Sequence, residues 1–183
     1  IDNSIVSAYY SLKLNHFNEP KMECYAQAII GFNNLKTKGK IKKNILTLID
    51  FSLPSSAKRL WVIDMDKNAV LFNTYVSHGL NSGCEFASSF SNEGNSNKSS
   101  LGFYATGESY FGKNGFSLKL DGLENGVNNN ARSRAVVVHG AYYANPDILN
   151  SQNYLGRSQG CPAIPEELTK PIINKIKDKS CLF

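Results

Sequence analysis

Two runs on either side of Met65–Ala69 constrain the fold most. Arg59-Leu60-Trp61-Val62-Ile63-Asp64 and Val70-Leu71-Phe72-Asn73-Thr74-Tyr75-Val76 are dominated by β-branched, aromatic and other apolar residues. Runs of this composition, joined by so short a connection, predict a β-hairpin. Leu101–Ala105 and Phe116–Leu120 read as further strands, Ala135–His139 as a buried one, and Ile45–Ile49 with Asp50-Phe51-Ser52 as a short strand or turn. The Ser- and Asn-rich stretch Ser88–Ser100 is a surface loop, Asp121–Arg134 a polar connection and Asn145–Asn153 a second loop. Helices are expected at both ends. Residues 4–14 carry Ile5, Tyr9 and Leu12 on one side. Glu19-Pro20 opens a clearer helix, with Met22, Tyr25, Ile29, Phe32 and Leu35 spaced by three and four and Gly39 ending it. Pro165-Glu166-Glu167 opens a terminal helix, with acidic residues suited to its N-terminal end and Pro171 interrupting or restarting it. The fold class is mostly β (α+β). Residues 1–44 form a helical extension packed on a β-rich domain spanning 45–183.

Composition removes several classes of function. A chain of 183 residues with 42% hydrophobic and 19% charged residues is an ordinary globular domain. No apolar run approaches the roughly 18 residues of a membrane span. No leader is visible at Ile1, and a trimmed chain would also lack one. The net charge is +5, with one basic cluster from Lys36 to Lys43. That cluster has no interleaved aromatic residues and reads as a solvated face, not a nucleic-acid patch. Cys24, Cys84, Cys161 and Cys181 show no CxxC spacing, and there is no HExxH, so a zinc site is not expected. Cys24, Cys84 and Cys181 read as structural thiols, and a Cys24–Cys181 disulfide is one way to tie the ends together.

The chemistry concentrates in Gly156-Arg157-Ser158-Gln159-Gly160-Cys161-Pro162-Ala163-Ile164. His139 ends its strand-like run 22 positions before Cys161. A free thiol, with a pKa of about 8.5, is only slightly ionised near neutrality. A histidine beside it can take the proton and leave a thiolate–imidazolium pair. Gly160 lets the chain bend and bring N–H groups to a reacting carbonyl. Pro162 has no N–H, so oxyanion donors must come from the Gly160 and Cys161 amides or from another loop.

His139-Gly140 followed by Ser158-Gln159-Gly160-Cys161 resembles the L,D-transpeptidase signature: a histidine–glycine pair, a variable loop and Ser-x-Gly-Cys. Ser99–Tyr104 resembles the upstream Thr-Pro-x-Gly-x-Phe segment, and Trp61–Met65 and Tyr75–Gly79 resemble the early strands. The likeness is to the murein L,D-transpeptidase catalytic domain-like subgroup of the YkuD-type fold, and it extends from about the second helix to Ile164. It implies a β-sandwich catalytic domain over 45–183 that works without cofactor in the periplasm or another extracytoplasmic space. Its substrates would be peptidoglycan stem peptides, and a carbapenem would acylate the same cysteine. Alternatives are a cell-wall-binding module with reduced catalysis and an L,D-endopeptidase. Many family members carry an arginine two positions after the cysteine, where this chain has Ala163; Arg157 or Arg134 is the candidate replacement.

On that reading Cys161 is the nucleophile, His139 the base and Gly160 the shaper of the turn. A backbone carbonyl near Gly140 is expected to orient His139. Arg157, Ser158, His78 and Tyr142 are candidates for substrate binding. For Ser158 a turn-stabilising role stands equally, and for Tyr142 and Tyr143 so does ordinary packing. His78, which also precedes a glycine, is the rival histidine.

Overall fold

A period of two sends neighbouring strand residues to opposite faces of a sheet, and in this protein both faces are covered. The computed structural model describes residues 1–183. Its elements are α1 (Asn3–Tyr10), α2 (Met22–Thr37), β1 (Ile45–Ile49), β2 (Leu60–Asp64), β3 (Ala69–Thr74), β4 (Tyr104–Gly112), β5 (Gly115–Gly122), β6 (Val137–Gly140), β7 (Ala163–Ile164), α3 (Glu166–Ile176) and β8 (Cys181–Leu182). The strands form one mixed sheet in the order β3-β2-β1-β8-β4-β5-β6-β7. Thus the mostly-β fold with helices at both ends is present, and its strands join in a single continuous sheet.

The alternation is legible residue by residue. Leu46 and Leu48 of β1, Trp61 and Ile63 of β2, Ala105 of β4 and Cys181 of β8 share a core with Tyr25, Ile29 and Phe32 of α2. Their neighbours Leu60, Val62, Tyr104 and Leu182 join Leu118, Val138 and the α3 residues Ile172, Ile173 and Ile176 in a second core. Burial of Thr169, Ile172, Ile173 and Ile176 gives α3 one apolar stripe at spacings of three and four. The apolar cores hold each helix to its face; a fully buried isoleucine or leucine contributes about 1.5–3 kcal/mol.

The hairpin predicted from Arg59–Val76 is β2–β3. Three expectations need correction. Pro171 neither interrupts nor restarts α3, which runs through it. β4 does not stop at Ala105; it continues to Gly112 and turns through Lys113-Asn114 into β5, with a register irregularity between Thr106 and Ser109. The last residues also form a strand. Asp178 and Lys179, at φ 65° and 73°, reverse the chain so that β8 enters between β1 and β4. Thr106 holds that entry, its Oγ1 accepting from Ser180 N–H at 2.9 Å. All four cysteines are free, so Cys24 and Cys181 do not pair.

Candidate active site

The turn carrying Cys161 is shaped from beneath and clamped from one side. Gly160 sits at φ +120°, where side chains are strained, and a Cβ there would lie 2.7 Å from the Lys98 carbonyl oxygen. Arg134 fixes that underlying loop. Its guanidinium donates to the carbonyls of Ser91 and Lys98 at 3.0 Å each and to the hydroxyls of Ser100 at 2.7 Å and Ser96 at 3.1 Å. Ser158 closes the turn internally: its hydroxyl donates to the Cys161 carbonyl at 2.6 Å and accepts from Gly160 N–H at 3.1 Å. Residues 78–80 flank it, with Ser158 N–H donating to His78 O and Leu80 N–H to Ser158 O.

These contacts revise the expected donors. The Gly160 amide is engaged by Ser158, and Pro162 has no N–H to offer. The Gln159 and Cys161 N–H groups have no protein acceptor, and Cys161 N–H is the one on the nucleophile itself.

The sulfur rests against the start of β6. Val137 N–H donates to Cys161 Sγ at 3.4 Å, and Sγ lies 3.5 Å from the Ala135 carbonyl oxygen. Ala135 itself is left-handed at φ 57°, an uncommon conformation for a residue with a side chain, of the kind that gathers at functional sites. Two residues beyond Val137, and so on the same face of β6, stands His139. It is paired in register with Ala163 of β7, and both are buried. His139 Nδ1 lies 2.9 Å from the Gly140 carbonyl oxygen. A carbonyl can only accept, so Nδ1 carries the proton and Nε2 keeps its lone pair. Gly140 is glycine because α3 presses on it: a Cβ would meet Thr169 Oγ1 at 2.1 Å.

Burial dominates the electrostatics. It raises the Cys161 thiol above its ordinary value, against the opposing pull of the Val137 amide, Arg134 and Lys113. It also lowers His139, opposed by the Gly140 carbonyl. Both shifts oppose ionisation of the group concerned, and no hydrogen bond joins the two side chains.

The other site residues divide. His78 is wholly buried, its Nδ1 2.8 Å from an Arg59 Nη2–H donor and its Nε2 3.0 Å from the Gly83 carbonyl. With both ring nitrogens engaged it has nothing to offer a ligand, and it acts on the turn through its own carbonyl. Burial and the nearby Arg59 charge bring its pKa down to about 4. Arg59, also wholly buried, donates to the Val76 and Leu53 carbonyls and lies 4.9 Å over the Phe51 ring. Sequence reading gave this arginine no part because nothing local marks it. Arg157 turns toward the Leu80 and Gly83 carbonyls, at 3.4 and 3.3 Å, and stacks over Tyr154. Tyr142 is 70% exposed and meets Tyr143 edge to face. The Tyr143 phenol, pushed up to about 12 chiefly by burial, also feels the Cys161 charge.

A cavity of about 610 Å³ lies behind the turn, bounded by Gly160, Pro162, Ser100, Tyr104, Val136 and Phe51 among others. No three His, Cys, Asp or Glu side chains are grouped to hold a metal, and no helix is long and apolar enough to cross a membrane.

The L,D-transpeptidase catalytic domain family (YkuD_2) matches residues 17–183, and the chain belongs to that family. The match takes in α2 as well as the whole sheet. No curated protein matches the sequence. Among solved structures, an L,D-transpeptidase from Mycobacterium smegmatis is similar at 13% identity, with a TM-score of 0.46, covering 76% of this chain and 58% of that one. The L,D-transpeptidase LdtMt1 in complex with imipenem is similar at 14% identity and a TM-score of 0.44, covering 76% and 57%. A variant of the helical cell shape determining protein Pgp2 from Campylobacter jejuni is similar at 15% identity and a TM-score of 0.47, covering 81% and 52%. The chain thus spans between half and three fifths of the length of these three.

Proposed function

We propose that this protein is a cysteine acyltransferase acting on peptidoglycan stem peptides in an extracytoplasmic space. Membership of the L,D-transpeptidase catalytic domain family supplies the class of reaction. The observation that carries the assignment to residues is the His139 Nδ1 contact with the Gly140 carbonyl, which leaves Nε2 as the base. His139 Nε2 takes the Cys161 thiol proton as the thiolate attacks the carbonyl between an L-centre and a D-centre of a tetrapeptide stem. The oxyanion that forms is held by the Cys161 amide, a donor of the turn with no protein acceptor. Collapse expels the amine of D-alanine, which receives the proton from the imidazolium, and a thioester remains on Cys161. An amine of a second stem then attacks the thioester to give a 3→3 cross-link. Water in its place gives L,D-carboxypeptidase activity. A carbapenem, whose strained amide is open to the same thiolate, acylates Cys161 by ring opening with no leaving group lost.

The test is incubation with purified disaccharide-tetrapeptides followed by mass spectrometry of products and protein. Wild type should release D-alanine and carry an acyl adduct on Cys161, and Cys161→Ala should do neither while Cys24→Ser, Cys84→Ser and Cys181→Ser retain both. Turnover by Cys161→Ala would overturn the reading. A second reading, a cell-wall-binding module with reduced catalysis, is favoured by Ala163, which stands two positions after Cys161 where many family members carry arginine. It predicts that wild type binds stems without releasing D-alanine. Cleavage of isolated 3→3 dimers, with no release from tetrapeptides, would instead identify an L,D-endopeptidase.

A further inference from the structure

A free carboxylate on a peptide substrate is well matched by a cation near the nucleophile, and this site holds its arginines elsewhere. Ala163, two residues after Cys161, is fully buried opposite His139. Arg134 is engaged by four acceptors of the 91–100 loop. Arg157 faces the carbonyls of residues 80 and 83 and the Tyr154 ring.

Lys113 is different. It occupies the two-residue turn between Gly112 and Gly115, which face each other as the last pair of β4 and β5. Gly115 takes φ +81°, as tight hairpin turns require. β6 pairs with β5 only from Ser117 to Lys119, with Ser117 opposite His139. The hairpin tip therefore projects beyond the row that holds the histidine. Phe111 and Phe116, with ring centroids 5.1 Å apart, brace it. Lys113 is exposed and has neither a hydrogen bond nor an ion pair. Its charge nonetheless reaches both His139 and Cys161, opposing the positive imidazolium and favouring the thiolate. Lys113 and Arg134 are the two cations felt by the thiol, and Lys113 is the one whose donors are free.

We propose that Lys113, at the tip of the β4–β5 hairpin, is the specificity residue that binds the terminal carboxylate of the donor peptide's leaving residue. The inference rests on the acyl-transfer reading of Cys161. The carboxylate lies one residue beyond the attacked carbonyl, and adjacent Cα atoms are about 3.8 Å apart. A flexible ammonium on a projecting turn suits a point-charge contact of this kind.

Two measurements on the full chain test it. The first compares alkylation of Cys161 by iodoacetate, an anion, with alkylation by neutral iodoacetamide, read by peptide mapping. Taking the ratio cancels the thiolate fraction and leaves the local field. Lys113→Gln should lower the ratio about two- to fivefold and Lys113→Glu further, whereas Lys113→Arg should restore it. The second compares D-alanine release from a tetrapeptide stem with alaninamide release from its terminal carboxamide. Wild type should prefer the acid on the order of tenfold in kcat/KM, mainly through KM, and Lys113→Gln should lose that preference. An unchanged alkylation ratio, or an acid preference that survives in Lys113→Gln, overturns the assignment. If wild type releases nothing from either peptide, the acyl-transfer reading fails, and the alkylation ratio still decides whether Lys113 sets the anion field at Cys161.

Discussion

The chain presents a histidine–glycine pair twice, and the two pairs have opposite uses. His78-Gly79 and His139-Gly140 both follow apolar runs, and burial pulls both histidines below their ordinary value. Each glycine admits a neighbour that a Cβ would block: a Cβ on Gly79 would lie 2.5 Å from the Asn97 carbonyl oxygen, and one on Gly140 would meet Thr169 of α3. The difference lies in the ring partners. His78 is closed between Arg59 and the Gly83 carbonyl, whereas His139 gives one nitrogen to Gly140 and keeps the other. A buried histidine is a candidate base only if one nitrogen is left over. That nitrogen is decided by residues far away in sequence, such as Arg59, which is 19 positions from His78.

Exchanging the two losses is the strongest way to break this comparison. His139→Ala should slow single-turnover acylation of Cys161 by about 10²- to 10⁴-fold, the usual contribution of a positioned base. Its effect on stability should be the smaller one. His78→Ala should do the reverse. It strands a donor of the buried Arg59, which at a pKa of about 9 is still protonated at neutral pH, and should cost about 2–4 kcal/mol in urea unfolding. Any loss of acylation in His78→Ala should be confined to conditions where the fold loosens. If His78→Ala, shown folded by circular dichroism, acylates more slowly than His139→Ala, the roles are exchanged.

The same contrast separates what the sequence carries from what only folding reveals. The β2–β3 hairpin, the strand leading to His139 and the Gly160-Cys161 turn were legible because each is a local pattern of burial, period or backbone freedom. β8 was not: Cys181-Leu182 is too short to show a period, and its place in the middle of the sheet depends on β1 and β4, both far earlier in the chain. The far half of β4 was hidden by polar residues and a bulge at Thr106–Ser109. Ser158 and Arg157 carried plausible substrate-binding chemistry, yet folding directs the hydroxyl into the turn and the guanidinium onto neighbouring carbonyls. Lys113 carries no local mark in the sequence, because only the folded β4–β5 hairpin places it past His139.

A second, somewhat smaller effect sharpens the comparison from the nucleophile's side. The turn is supported at two points: the Ser158 amide on the His78 carbonyl, and Gly160 close against the Lys98 carbonyl above Arg134. Gly160→Val combines an unfavourable positive φ with a clash against backbone, so the Cys161 amide should lose its aim. Single-turnover acylation should fall on the order of a hundredfold, the usual loss for one oxyanion donor. A folded Gly160→Val protein that acylates at the wild-type rate would place the donors outside this turn.

The smallest expected effect is on stability against pH, and it belongs chiefly to His78. Its folded pKa of about 4 lies below the ordinary 6.5, so as pH falls the unfolded chain takes up the proton first. The contribution is therefore complete above about pH 6.5 and is lost progressively down to about pH 4. A gap of that size corresponds to about 3–4 kcal/mol in full, of which about 2–3 kcal/mol is lost between pH 7 and pH 4.5. His139, shifted in the same direction, adds to the loss with the same sign. Urea midpoints for wild type and His78→Gln at pH 7 and pH 4.5 isolate the His78 share, because the carboxylates titrate alike in both. Wild type should lose more stability between the two pH values than His78→Gln does. Equal losses would mean that His78 accepts a proton in the folded state as readily as in the unfolded chain. The closed Arg59–His78–Gly83 arrangement would then have to be open in solution, and the distinction between the two histidines would no longer rest on their ring partners.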